Sequence, residues 1–414
     1  MKNEIKQNIT KTFRVIAFTE KDRHLQMVKR YVDNIEIVKN IDEIQWKDII
    51  CRRVRLVSMP SRSELTNKSQ LCKRTLAKVL NLGIGDFIGN INFEDCLLGE
   101  HGDKVFFAPM NSAVLIYKYH LGKDFSVLEL KDELHERRMK NIVNKSRHAR
   151  ELGLLDVRQG LTVFTNLRND TLLRAYKRIH PNRKIILRYH DRLDGGLGGK
   201  SGQKQKILAM IAKLKQDKII DEVESYFRPD AEAMAGKYRP NAVNSDALSG
   251  INFSFCEAFY RFIGGPKDVK DRTRLDAIND LKKELMRLYP KINHWIEERM
   301  VLNSAEWMPY CDYLEKIFRT EVIVDLTRFG QNEGFSFRIP EALFLNKKII
   351  TNRLIVRDEP FYSSERIFLV GIDSVSRLKE FLEKEVEPLP NSILRLYDTH
   401  FWWTDNDPIK ELNK

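Results

Sequence analysis

The sequence predicts an α/β fold arranged as two domains. Three observations carry the prediction. Strand and helix patterns alternate through most of the chain, as expected for parallel sheets covered by helices. The chain has 414 residues, beyond the size at which a single core usually stops growing. Proline, asparagine and serine cluster at 238–248 (YRPNAVNSDAL) between two regular zones, a natural boundary. The expected domains are 1–240 and 241–390, followed by a C-terminal segment, 391–414.

The elements follow in order. An apolar run at 13–18 (FRVIAF) reads as the first strand, with further strands at 105–108 and 126–130. LTVFT at 161–165 is a clear strand, followed by a helix over 170–179. KIILRY at 184–189 is the next strand, then come a helix over about 203–216 and a short strand at 219–224. The stretch 47–91 is basic and irregular and yields no assignment. In the second half an apolar run at 253–263 ends in Gly264-Gly265. Leu275, Ile278, Leu281 and Leu285 recur at helical spacing and give a helix over 275–288. A strand at 291–297, a helix at 310–318, strands at 321–327 (EVIVDLT), 348–351 (KIIT) and 367–370, and a helix at 375–382 complete the pattern.

Composition narrows the function classes. No window is apolar over the length needed to span a bilayer, and 13–18 is too short for a signal-peptide core, so a cytoplasmic location is expected. The five cysteines are scattered, with no paired spacing and no zinc pattern, which fits reduced thiols. Lysine and arginine total 71 against 58 acids, a net charge of +13. That surplus suits phosphate-bearing ligands, an anionic membrane surface or nucleic acid. It does not choose among them.

The residues 332–352 (NEGFSFRIPEALFLNKKIITN) are the most informative. Glu333 and Glu341 stand eight positions apart, with a turn at Gly334 between them and strands on both sides. Pro340 has no N–H and is comfortable only in the first turn of a helix, so a helix begins within 336–339 and runs to about Leu345. Carboxylates on the loop after a buried strand and just inside the next helix face the mouth of an open α/β sheet, where ligands bind. The helix N-terminus presents unpaired N–H groups to an anion, Arg338 adds a positive charge, and Glu341 can accept hydrogen bonds from hydroxyls. Anion-binding amides beside hydroxyl-binding carboxylates suit a nucleotide diphosphate sugar.

EGFSFRIPEALFLNKKIIT resembles the signature of GT-B glycosyltransferases carrying a Glu-x7-Glu motif. The strong resemblance covers about 251–372, and the N-terminal half matches in general layout. Ser336 stands where a glycine is usual, and Arg338 interrupts a stretch that is usually apolar. The chain looks closer to the glycosyltransferases of bacterial surface polysaccharide and lipopolysaccharide assembly. The resemblance implies a GT-B fold, two Rossmann-like domains with parallel sheets facing across a cleft, whose last segment crosses back onto the first domain. It implies that Glu333 contacts the donor sugar, Glu341 the nucleotide ribose, and Gly334, Phe335 and Ser336 the sugar and diphosphate. The partners it implies are a nucleotide-sugar donor and a glycan or lipid-linked acceptor, and no nucleic acid is expected. The basic stretches 51–62, 68–78 and 131–150 leave room for peripheral contact with an anionic membrane.

Other stretches add candidates. After Gly264 and Gly265 come Lys267, Lys270, Arg272 and Arg274. Similar GT-B proteins hold the leaving diphosphate with cations at this place, and Lys267 and Arg272 are the preferred pair. His190 and Asp191 follow the 184–189 strand and would face the acceptor, where one of them could take its hydroxyl proton. A strand-end pair satisfying local hydrogen bonds is the plainer reading. Gly199-Lys200-Ser201 is no P-loop, because Asp194 occupies the place of the leading glycine. No Asp-x-Asp pair of the kind that GT-A enzymes normally require for metal accompanies Asp325, which fits the metal-independent, cofactor-free enzyme that the GT-B resemblance implies. Two alternatives remain at this stage: a basic nucleic-acid-binding protein, and a GT-B-like scaffold that binds glycan without activity.

Overall fold

The computed structural model describes residues 14–18, 25–29, 34–80, 82–83, 103–109, 112–122, 124–130, 133, 135–138, 140, 159–194, 202–249, 258–264, 273–290, 295–298, 310–327 and 334–402. They fall into two compact units. One draws on Met1–Val105, Leu130–Thr162 and Asn169–Lys184, the other on Phe106–Glu129, Val163–Arg168 and Ile185–Lys414.

Fourteen described strands form three sheets. In the first unit β1 (Arg14–Ala17) lies between β2 (Ile35–Ile37) and β3 (Val54–Leu56), both parallel to it. A parallel bridge from Leu56 to Gly83 extends the edge. Ile16, Val54 and Leu56 pack with Ile41, Ile44, Ile49, Ala77 and Leu82 in a core of their own. The helix α1 (Lys68–Val79) covers this sheet and starts from Asn67, whose side chain accepts the Gln70 N–H as an N-cap.

The second sheet has six strands: β4 (Lys104–Pro109), β5 (Ser126–Leu130), β6 (Gly160–Thr165), β7 (Arg183–Tyr189), β8 (Glu222–Ser225) and β9 (Lys237–Tyr238), in the order β5-β4-β6-β7-β8-β9. The β7–β8 and β8–β9 pairs are parallel. Helices α2 (Ser112–Leu121), α3 (Asp170–Ile179) and α4 (Gln203–Gln216) connect these strands.

The third sheet lies within the second unit. It comprises β10 (Ala258–Gly264), β11 (Trp295–Glu298), β12 (Thr320–Asp325), β13 (Lys348–Thr351) and β14 (Ile367–Leu369), in the order β11-β10-β12-β13-β14, and every pair is parallel. The intervening helices are α5 (Thr273–Leu288), α6 (Tyr310–Phe318) and α7 (Arg338–Phe344), with α8 (Arg377–Glu383) after the last strand. Alternation along β12 divides the core. Val322 and Val324 pack with Ile278, Leu281 and Leu285 of α5 and Leu378, Phe381 and Leu382 of α8. Ile323 faces the other way, onto Ile339, Ala342 and Leu343 of α7 and Ile317 of α6. A strand buried on both faces reads as a near-continuous apolar run, which is why VIV stood out. Both larger sheets reverse their winding beside the first strand of the sheet, at β4/β6 and at β10/β12. In open α/β sheets the crevice outside the carboxyl ends at such a reversal is where ligands bind.

Residues 391–402 cross from one of these sheets to the other within the second unit. Tyr397 packs with Phe335 and Phe361, Val243 bridges to Asp398, and Trp402 lies 4.1 Å over the buried Arg188 guanidinium of β7. Arg188 and Arg239 share the buried Glu224 at 3.5 and 2.8 Å. Among the described residues no helix is long and apolar enough to cross a membrane.

Candidate functional site

The described part of the Glu-x7-Glu segment, residues 334–352, follows β12 beside the β10/β12 reversal. Strand β12 ends on Asp325 and α7 starts at Arg338. Pro340 occupies the third position of α7, inside the first turn, where its missing N–H costs no helical bond. Gly334 runs hard against Tyr226. A Cβ there would lie 2.7 Å from the tyrosine ring and 2.8 Å from its carbonyl oxygen, so the backbone can pass only without a side chain.

Glu341 projects from α7 into a buried polar cluster and is 1% exposed. The Tyr310 hydroxyl donates to its Oε1 at 2.5 Å and the Tyr313 hydroxyl to its Oε2 at 2.7 Å. These tyrosines sit three apart on α6, on one helix face, and their rings stack at 5.6 Å. His120 of α2 completes the chain. Its Nδ1 accepts the backbone N–H of Asn244 at 3.0 Å, and its Nε2 lies 2.7 Å from the Tyr310 hydroxyl. A backbone N–H can only donate, so the proton of the neutral ring is on Nε2. Hydrogen bonds therefore run one way, from His120 to Tyr310 to Glu341.

Burial sets the electrostatics of this chain. It pushes the Glu341 carboxyl above the ordinary range, outweighing the hydrogen bonds from Tyr310 and Tyr313 and the nearby Arg338 charge. Burial first, then the Glu341 charge, raises both tyrosines well above 10.0. His120 is pushed down to about 3 by burial. The unfolded ring titrates near 6.5, so between about pH 3 and 6.5 the unfolded chain binds more protons and acidification favours unfolding. One such group contributes at most about 1.4 kcal/mol per pH unit. His120→Gln is expected to flatten that limb, and urea midpoints measured across the same pH interval check it.

Asp325 anchors the other side. It is fully buried and accepts from Arg353 Nε at 2.7 Å, Arg338 Nη1 at 3.2 Å and Ser336 Oγ at 2.9 Å. Burial alone would raise its carboxyl, but the two arginines and Ser336 hold it below the usual carboxylate range. Arg353 also donates to the Gly334 carbonyl. Ser336, which the resemblance places by the sugar and diphosphate, and Arg338, which departs from the family pattern, are thus both tied to the strand end by Asp325. Phe335 points into the core against Phe361 and Tyr397. Glu333, Gly265, Lys267 and Arg272 lie outside the described residues, and Gly264 closes β10.

His190 and Asp191 stand at the carboxyl end of β7, as their sequence position implies. Asn166, just after β6, binds both. The side chain of Asp191 is 64% exposed and that of His190 15%. Among the described residues no group of three or more His, Cys, Asp and Glu side chains is placed to hold a metal ion.

Several members of the site carry no sequence motif. His120 sits on an apolar helix without an evident period. Tyr310 and Tyr313 had a signal, their three-residue spacing just ahead of β12. Arg353 stands two positions after KIIT, and only the fold brings it beside Asp325. No family model matches the chain, and no curated protein matches it.

Proposed function

We propose that the chain is a glycosyltransferase of the GT-B type. It would move a sugar from a nucleotide-sugar donor to a hydroxyl of a glycan or lipid-linked acceptor, as in bacterial surface polysaccharide or lipopolysaccharide assembly. The observation that carries the reading is one of placement. The segment resembling the Glu-x7-Glu signature follows the strand that flanks the winding reversal of an all-parallel sheet. Support also comes from the second large sheet, which has the same kind of reversal, and from Trp402, which the C-terminal segment sets against β7.

In this reading the donor lies outside the carboxyl ends of β10 and β12. Lys267 and Arg272 neutralise the departing diphosphate, and Glu333 and the Gly334 turn meet the sugar. Charge developing on a leaving diphosphate is stabilised by fixed cations with no metal required. Glu341 already holds two tyrosine hydroxyls. A carboxylate has about four lone-pair sites, so a ribose hydroxyl would join that network once the side chain is uncovered. Asp325, Arg338 and Arg353 hold the turn in place.

The test is turnover. Purified protein is incubated with each common nucleotide sugar and glycan acceptors, and release of the nucleoside diphosphate is followed. One donor should be consumed only with acceptor present. Glu333→Gln should lower kcat/KM by about 10²-fold or more with an unchanged melting temperature. No acceptor-dependent release from any donor, or full activity in Glu333→Gln, contradicts the proposal.

A further inference from the structure

The corner formed by Asn166, His190 and Asp191 has a hydrogen-bond pattern that admits one arrangement of protons. The Asn166 side-chain oxygen accepts two backbone N–H groups, from His190 at 2.9 Å and from Asp191 at 3.3 Å. Backbone N–H groups only donate, so this end of the amide is its carbonyl oxygen. The other end is the NH2, which lies 2.9 Å from His190 Nε2 and 2.6 Å from Asp191 Oδ2. An amide NH2 has two donors and no acceptor. His190 Nε2 must therefore be bare, and the proton of the neutral ring is on Nδ1. An imidazolium would turn an Nε2–H against the Asn166 NH2.

The backbone fits this task. Asn166 has φ +52, the left-handed region that asparagine tolerates better than most residues. Its own N–H donates to the Arg188 carbonyl at 2.8 Å, which fixes the turn after β6 to the end of β7. The groups facing His190 are Asn166, the Asp191 carboxylate 3.8 Å away, the Arg188 charge and the Tyr117 ring. Burial and Arg188 lower the His190 pKa while Asp191 opposes them. His190 Nδ1 is buried with no hydrogen-bond partner among the described residues.

We propose that Asn166 is a positioning residue that locks His190 in the neutral Nδ1–H form and leaves the Asp191 carboxylate as the acceptor for a ligand hydroxyl at this end of the sheet. His190 offers that hydroxyl nothing, since Nε2 is filled by Asn166 and Nδ1 is covered. Asp191 keeps Oδ1 free of these contacts. The second half of the proposal rests on the transferase reading, with the hydroxyl belonging to the acceptor. The tautomer does not depend on it.

The experiment is nitrogen-15 NMR of histidine-labelled full-length protein, with His190→Gln to assign the ring signals. Wild type should show His190 with Nδ1 protonated and Nε2 bare, titrating below the usual histidine range. Asn166→Asp keeps an oxygen for the two backbone N–H groups and replaces the donor with an acceptor. Its His190 should carry a proton on Nε2 and titrate at least about one pH unit higher than in wild type. Should Asn166→Asp misfold, the wild-type tautomer still decides. An Nε2–H ring in wild type, or an unchanged titration in folded Asn166→Asp, overturns the positioning role. In the turnover assay Asp191→Asn should raise the acceptor KM about tenfold or more and leave the donor KM alone. An unchanged acceptor KM overturns the role of Asp191. Absence of any turnover by wild type defeats the transferase reading and leaves the tautomer to the NMR result.

Discussion

Asp325→Asn is expected to destabilise the protein by about 3–5 kcal/mol. Asp325 is fully buried at the end of β12, and the Arg353 and Arg338 guanidiniums both reach it. The asparagine keeps the volume and can still accept from Ser336, so the loss is one of charge. Two cations then face a neutral group in a site that water does not screen. Removing one cation along with the anion should recover part of the loss. Asp325→Asn with Arg353→Met should be more stable than Asp325→Asn alone, and a double-mutant cycle read from urea midpoints measures the coupling. Equal stability of wild type and Asp325→Asn would show that the strand end is held by something else. The sign of the pH effect follows. The folded carboxyl titrates below the unfolded one, so the stability it contributes is present above the unfolded pKa. That contribution is lost as the pH falls through the folded pKa.

Glu341→Ala is expected to cost a similar amount, about 3–4 kcal/mol. The alanine strips the acceptor from the Tyr310 and Tyr313 hydroxyls. Each hydroxyl left buried without a partner costs about 1–3 kcal/mol. The hydrogen-bond chain from His120 then ends on a hydroxyl with nowhere to donate. Glu341→Gln should cost less, because its carbonyl oxygen still takes one tyrosine while its NH2 faces the other. Tyr310→Phe with Tyr313→Phe should make Glu341→Ala nearly neutral by comparison, since the groups it would orphan are gone. If Glu341→Ala melts with wild type, the cluster contributes nothing to the fold. For that reason loss of ligand binding in Glu341→Ala is not by itself evidence of a ribose contact, and Glu333 is the better probe of the proposed donor site.

Much of the fold was legible because the pattern of apolar residues carries it. The strands Ser126–Leu130 and Lys348–Thr351 and the helices Asp170–Ile179, Gln203–Gln216 and Tyr310–Phe318 lie where periodicity puts them. The strand expected at 219–224 begins instead at Glu222. Lys218 takes φ +53, and the Ile219 N–H donates back to the Leu214 carbonyl. Ile219 and Ile220 therefore finish the helix exit, as in a Schellman turn. The first sheet was hidden by charge. Arg55 lies buried in β3 and donates to the Arg52 and Val54 carbonyls. Lys73, buried on α1, donates to the Asp42 and Ile44 carbonyls. Cations facing inward break the periodicity that marks a strand or a helix, so 47–91 looked irregular. Chain position alone reached part of the site. Glu341, Ser336 and Arg338 lie in a motif, whereas their partners His120, Tyr313, Asp325 and Arg353 meet them only through sheet order. Pairings of that kind are set by tertiary contacts, which one sequence does not display.

In the proposed reading the β10/β12 reversal binds a nucleotide-sugar donor. The most direct measurement is a calorimetric titration of the full chain with UDP, GDP, CMP, ADP and their common sugar conjugates, using wild type and Glu333→Gln. One nucleotide class should bind wild type. Glu333→Gln should weaken the sugar conjugate about tenfold or more and bind the free nucleotide as wild type does. No binding by any nucleotide or conjugate, together with binding to nucleic acid that falls steeply with salt, would contradict the account.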